Sequence, residues 1–111
     1  MKIATWNINS IRLRINQVIK FVIENQIDIL CLQETKTPNK NFPREEFKNI
    51  GFTDQYYRGE KSYNGVAIIS KFEIIETGYI NWCKKDDTRH IYVKINNYIE
   101  LHNFYVPAGG D

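Results

Sequence analysis

Cysteine is scarce in this chain: Cys31 falls inside an apolar run, Cys83 lies in a polar stretch, and neither belongs to a C-x-x-C pair. That argues against a disulfide framework or a structural zinc site, and two free thiols are expected. No apolar run approaches the ~18–20 residues that span a bilayer. The opening residues Met1 to Trp6 lack the basic, apolar, small-residue layout of a secretory signal, so a soluble cytoplasmic protein with no membrane partner is expected. Charge of one sign is also missing. With 15 Lys+Arg against 13 Asp+Glu the net charge is +2, too small by itself to imply a polyanionic partner. The chain has no G-x-S-x-G, no P-loop and no G-x-G-x-x-G, which argues against α/β-hydrolase, NTPase and dinucleotide chemistry. Repeats, low-complexity segments and linkers are absent, so one domain without an internal boundary is expected. Leucine is rare, at 4 against 17 isoleucines, and lysine outnumbers arginine 10 to 5. Such usage suggests A/T-rich codons of a bacterial source.

What is present suffices for a folded core: 42% of the 111 residues are apolar and 14% aromatic. The most informative stretch is Ile27 to Lys36, where a near-continuous apolar run ends in Glu34, Thr35 and Lys36. An unbroken run reads as a strand buried on both faces, with at least one parallel neighbour. Lys2 to Asn7 reads as an earlier strand. Between them Ile11, Ile15, Val18, Ile19 and Val22 mark one helical face running to about Asn25, with Asn9 or Ser10 as N-cap. A strand-helix-strand unit of this length makes its strands parallel, so Asn7 and Glu34 should meet at one carboxyl edge, where open α/β sheets bind ligands. A short helix should follow Pro43 and stop at Gly51. Beyond it Thr53 to Arg58, Gly65 to Ser70, Glu73 to Ile80, His90 to Ile95 and Tyr98 to Val106 read as mostly antiparallel strands, the last two joined by a tight Asn96-Asn97 turn. Pro107 to Asp111, a glycine-rich turn followed by an acid, reads as the start of a loop.

Several side chains could carry chemistry. A lone carboxylate at a strand tip suits Mg²⁺, which keeps much of its hydration and takes one or two protein carboxylates; Glu34 fits that role or that of a solvated partner to Lys36. Asn7 could orient a carboxylate or phosphate, or make an Asx turn. Arg58 to Gly65, with Lys61, Tyr63 and Asn64, has the composition of a phosphate-contacting loop or of a plain hairpin. Arg12, Arg14, Lys36, Lys40, Arg58 and Lys61 form either a basic rim around the carboxyl edge or scattered solvated charges. The hydroxyl of Tyr105 could reach a phosphate oxygen. His90 and His102 lack partners at motif spacing and read as structural.

Four stretches in order, Trp6 to Arg12, Leu32 to Lys36, Tyr63 to Ser70 and Asn103 to Pro107, resemble the exonuclease III group of apurinic/apyrimidinic endonucleases, in the endonuclease/exonuclease/phosphatase superfamily. Ser10 stands where that family usually has glycine. The resemblance implies the layers of a four-layer, deoxyribonuclease-I-like α/β sandwich, with this chain as its N-terminal part supplying approximately one sheet and its helices. It implies Glu34 as the Mg²⁺ ligand, with Mn²⁺ able to substitute, Asn7 in the active site and Tyr105 on the scissile phosphate. Lys36, Arg58, Lys61, Tyr63, Asn64 and Arg12 would then face double-stranded DNA carrying abasic or 3′-blocked sites. The family's Gly-Asp-x-Asn motif and its later acidic and histidine segments have no counterpart in these 111 residues. A C-terminal half is therefore expected as the missing partner, and the chain alone is expected to be inactive. Two other readings stay open: a non-catalytic fragment that binds DNA or a partner, and a related phosphoesterase acting on inositol phosphates or lipids.

Overall fold

A computed structural model of the chain describes residues 1–81, 88–96 and 98–107. Its first sheet contains β1 (Ile3–Asn7), β2 (Ile29–Gln33), β3 (Asp54–Glu60) and β4 (Tyr63–Ser70), in the order β1-β2-β4-β3. Helix α1 (Ile11–Glu24) connects β1 to β2 and makes them parallel, with Asn7 opposite Gln33. The other pairings in this sheet are antiparallel. A 3-10 turn at Asn39–Asn41 and helix α2 (Arg44–Lys48) lie between β2 and β3.

Alternation along the central strands separates two cores. Leu30, Leu32, Ala67 and Ile69 point to one face and meet Ile11, Val18 and Val22 of α1, together with Phe47 and Phe52. Ile29, Cys31, Val66 and Ile68 point to the other face and meet Ile91, Val93 and Ile95. These last residues belong to a second, antiparallel sheet of β5 (Glu76–Gly78), β6 (His90–Lys94) and β7 (Glu100–Phe104). The described residues thus form helix, sheet and sheet layers. Two sheets replace the single sheet expected from the sequence, and the Ile/Val-rich second face of the first sheet is covered within the chain. The cause is the period-2 pattern after β4, which supplies one apolar face to each of β6 and β7.

Two further expectations shift. Of the strand expected over Glu73 to Ile80, only Glu76–Gly78 pairs. Asp54 takes the Ile74 N–H at 2.8 Å, and the Nδ1 of His90 takes that of Ile80 at 3.0 Å, so neither amide serves a ladder. The tight Asn96-Asn97 turn gives way to a wider connection closed by Ile95 N–H donating to Ile99 O. There the Asn96 side chain accepts from the N–H groups of Tyr98 and Ile99. Asn97, Cys83 and Ala108 to Asp111 lie outside the described residues. Cys31 is a free, buried thiol whose pKa is pushed up to about 12 by burial, which leaves it a small apolar core residue.

Candidate active site at the carboxyl edge of the first sheet

Glu34 follows β2 directly, and the segment after it is held from two sides. Ser10 N–H donates to Glu34 O at 2.8 Å and Ile11 N–H to Thr35 O at 3.1 Å, both from the β1–α1 turn. From the opposite side Thr35 N–H donates to Gly65 O and Lys36 N–H to Asn64 O, at 3.2 and 2.9 Å. Gly65 is required for this approach: a Cβ there would sit 2.0 Å from the Thr35 hydroxyl oxygen, and its φ is +95°. The turn of residues 34–36 is strained, with φ of 54° at Glu34 and 53° at Lys36. Non-glycine residues rarely adopt this conformation, and such outliers gather at functional sites.

Tyr105 reaches the same place from the second sheet. Its hydroxyl donates to the Glu34 carboxylate at 3.2 Å, and its backbone N–H donates to Arg89 O at 2.8 Å. The Lys36 ammonium stands 4.0 Å from the same carboxylate oxygen and donates to the Asn9 carboxamide oxygen. Glu34, Lys36, Tyr63, Asn64, Arg89 and Tyr105 line a cavity of about 270 Å³, with Ser62 and Pro107 at its edge. A carboxylate, two cations, two phenols and a carboxamide around one hollow suit an anionic ligand and a hydrated cation together.

The structure therefore gathers five of the expected residues, Glu34, Lys36, Tyr63, Asn64 and Tyr105. Asn7 ends β1 at the same edge, exposed and opposite Gln33. Lys61 sits in the turn between β3 and β4, outside the cavity lining. Arg12 and Lys40 line a separate hollow of about 490 Å³ with Arg44, between α1 and α2. Arg58 departs most from the rim expected of it. It lies opposite Val66 on the inter-sheet face, is 9% exposed, donates to His90 O at 3.3 Å, and places its guanidinium 3.4 Å from the centre of the Tyr79 ring. A position on the inward face of β3 dictates that burial, and strand parity was the available signal.

Arg89 was missed. The signal was the hairpin register: the wider turn pairs His90 with Phe104, which puts Arg89 beside Tyr105, whereas the two-residue turn would have placed Thr88 there.

Residues 4–109 match the Endonuclease/Exonuclease/phosphatase family. The chain belongs to that family. Among its relatives, exodeoxyribonuclease III of Haemophilus influenzae is 35% identical over 81 residues, which are 71% of this chain and 30% of that protein. An AP endonuclease from Archaeoglobus fulgidus superposes with a TM-score of 0.85 at 44% identity, over 96% of this chain and 42% of its own. The Neisseria 3′ phosphatase NExo, bound to product DNA hairpin, gives a TM-score of 0.87 at 33% identity, over 95% of this chain and 41% of its own. This member of the endonuclease/exonuclease/phosphatase family thus spans less than half the length of these relatives. Its three layers belong to the deoxyribonuclease-I-like α/β architecture.

Proposed function

We propose that this chain is the N-terminal part of a Mg²⁺-dependent DNA-repair nuclease, one that hydrolyses the phosphodiester 5′ to an abasic site and trims blocked 3′ ends. The observation that carries the reading is the 3.2 Å contact between the Tyr105 hydroxyl and Glu34, two residues delivered by different sheets that meet at the carboxyl edge of the first sheet. The relatives' names, exodeoxyribonuclease III and AP endonuclease, support the substrate class.

The donor set fits a hydrated divalent cation. Among the described residues no group of three or more His, Cys, Asp or Glu is assembled, which disfavours zinc. Glu34 instead offers one partly exposed carboxylate beside a hollow of about 270 Å³, with room for the waters that Mg²⁺ keeps. When bound, the ion would polarise the phosphoryl oxygen and stabilise the leaving alkoxide. The Tyr105 hydroxyl would donate to a non-bridging phosphate oxygen, with Arg89 and Lys36 supplying positive charge around it. Asn7 would orient the sugar-phosphate from the β1 side, and Tyr63 and Asn64 would bear on the flanking backbone. Hydrolysis also requires a base positioned for the attacking water. None of the cavity-lining side chains is suited to that role except Glu34, which is committed to the cation. The remaining half of the fold is its expected source.

Cleavage of a duplex oligonucleotide with one abasic site tests the reading, measured over a Mg²⁺ titration with the chain alone and within a full-length protein of this family. Glu34→Gln keeps shape and removes charge, so cleavage in the full-length context should fall by two or more orders of magnitude, while the chain alone stays inactive. Equal cleavage by the Glu34→Gln protein across the titration would overturn the assignment.

A further inference from the structure

We infer that Gln33 and Asn103 form an amide clasp that positions the Tyr105 hydroxyl against Glu34, acting as positioning residues for the site; the inference rests on the reading of Glu34 and Tyr105 as its centre. Asn103 is 3% exposed, and its carboxamide is fully used. Its Nδ2 donates to Leu32 O at 2.9 Å and to Ala67 O at 2.8 Å, both on the first sheet, although Asn103 belongs to the second. Its Oδ1 accepts from Gln33 Nε2 at 2.7 Å, and the other Nε2 hydrogen goes to the Thr5 hydroxyl at 2.8 Å. Two side-chain amides thereby tie β1, β2, β4 and β7 together.

What makes this more than a cross-link is the spacing. Two residues along a strand make one pleat repeat, roughly 6.5–7 Å. Thr5 stands two residues before Asn7, Leu32 two before Glu34, Ala67 two after Gly65 and Asn103 two before Tyr105. Each anchor is therefore one pleat away from a residue of the site, on the strand that delivers it. Apolar packing alone would hold the sheets together without fixing how far β7 slides along β2, because methyl contacts are non-directional. Hydrogen bonds of 2.9 and 2.8 Å to two backbone carbonyls, with the 2.7 Å bond from Gln33 that orients the Asn103 amide, set that offset together, and with it the 3.2 Å separation of the Tyr105 hydroxyl from Glu34. Asn103 is the buried member, and a buried polar group whose atoms are all bonded tends to specify one arrangement.

The test uses the full chain and two variants. Asn103→Asp puts a carboxylate oxygen against two carbonyls, and it should disturb folding as well as geometry. Gln33→Leu is the milder one: it removes the bond to Asn103 Oδ1 and leaves both carbonyl bonds of Asn103 in place. Two readouts separate positioning from plain stability: Mn²⁺ affinity by electron paramagnetic resonance, and thermodynamic coupling between Glu34→Gln and Tyr105→Phe from denaturation midpoints. In the unaltered chain that coupling should change the folding constant about tenfold. Gln33→Leu should keep a cooperative transition, lower Mn²⁺ affinity about tenfold and reduce the coupling to about twofold or less. A folded Gln33→Leu chain with both quantities unchanged would overturn the clasp. If the unaltered chain shows no Glu34-dependent Mn²⁺ binding, the nuclease reading fails. Loss of the coupling in Gln33→Leu then still supports the clasp, and its persistence overturns it.

Discussion

Glu34 and Lys36 each place a long-chain L-residue at positive φ, at a cost of about 1 kcal/mol apiece. The conformation persists because amides on both sides over-determine it, with bonds from Ser10 and Ile11 on one flank and to Asn64 and Gly65 on the other. Gly65 is the weak point of this arrangement. Gly65→Ala adds a Cβ 2.0 Å from the Thr35 hydroxyl oxygen at a φ of +95°, so the chain must either expel the Glu34 turn or distort β4. We expect a loss of about 2–4 kcal/mol in the urea-derived stability, together with loss of Mn²⁺ binding. A variant of unchanged midpoint would mean that the turn yields without cost. Ser10, beside the same turn, is also at positive φ, with φ 87° and ψ 105°. Its hydroxyl accepts from Leu13 N–H at a marginal 3.5 Å, so the cap contributes little. Ser10→Gly should therefore stabilise the chain by about 0.5 kcal/mol, since relief of strain slightly exceeds the lost cap and the added unfolded-state entropy. A lowered melting temperature would show that the cap outweighs the strain.

Among the elements, the β6–β7 pair carries an ordered line of imidazoles on the face away from the core. Ile80 N–H donates to His90 Nδ1, which leaves the His90 hydrogen on Nε2, directed at His102 Nδ1 at 3.0 Å. His102 Nε2 then donates to Glu100 at 2.8 Å, and that hydrogen bond holds the Glu100 carboxyl below the usual carboxylate range. Proton uptake at either nitrogen that accepts would break a link. Burial, then the neighbouring His102 and Arg58, pushes the His90 imidazole below its usual 6.5. The folded state thus holds His90 neutral while the unfolded chain takes up a proton, so stability is full above pH 6.5 and is lost as pH falls through the folded-state value. Urea midpoints measured from neutral to mildly acidic pH should fall, and His90→Asn, which keeps an acceptor for Ile80 N–H without a titrating ring, should flatten that slope. An identical slope in the variant would place the acid sensitivity elsewhere.

At the scale of the whole molecule, the first sheet is the shared middle layer, packed by α1 on one face and by the second sheet on the other. Removing a side chain from it should be felt through both layers. Ile68, fully buried between the sheets, is the test: Ile68→Ala should cost about 2–5 kcal/mol and still give one cooperative transition. Two separate transitions would show that the second sheet unfolds independently. Much of this architecture was legible beforehand. The apolar run of Ile27 to Leu32 marked a central strand, the helical spacing from Ile11 to Val22 made its neighbour parallel, and those two facts alone put Asn7 and Glu34 on one edge. Local periodicity determines which face of an element is apolar, because burial acts on each side chain in turn. Tertiary structure alone decided that β5, β6 and β7 form a separate layer, that Arg58 turns inward, and that Arg89 joins the cavity opposite Tyr105. Each of these depends on hairpin register or on how two sheets superpose. Such offsets are set by a few long-range hydrogen bonds, those of Asn103 and Gln33 foremost, whose partners lie some seventy positions apart in the chain and leave no periodic trace in the sequence.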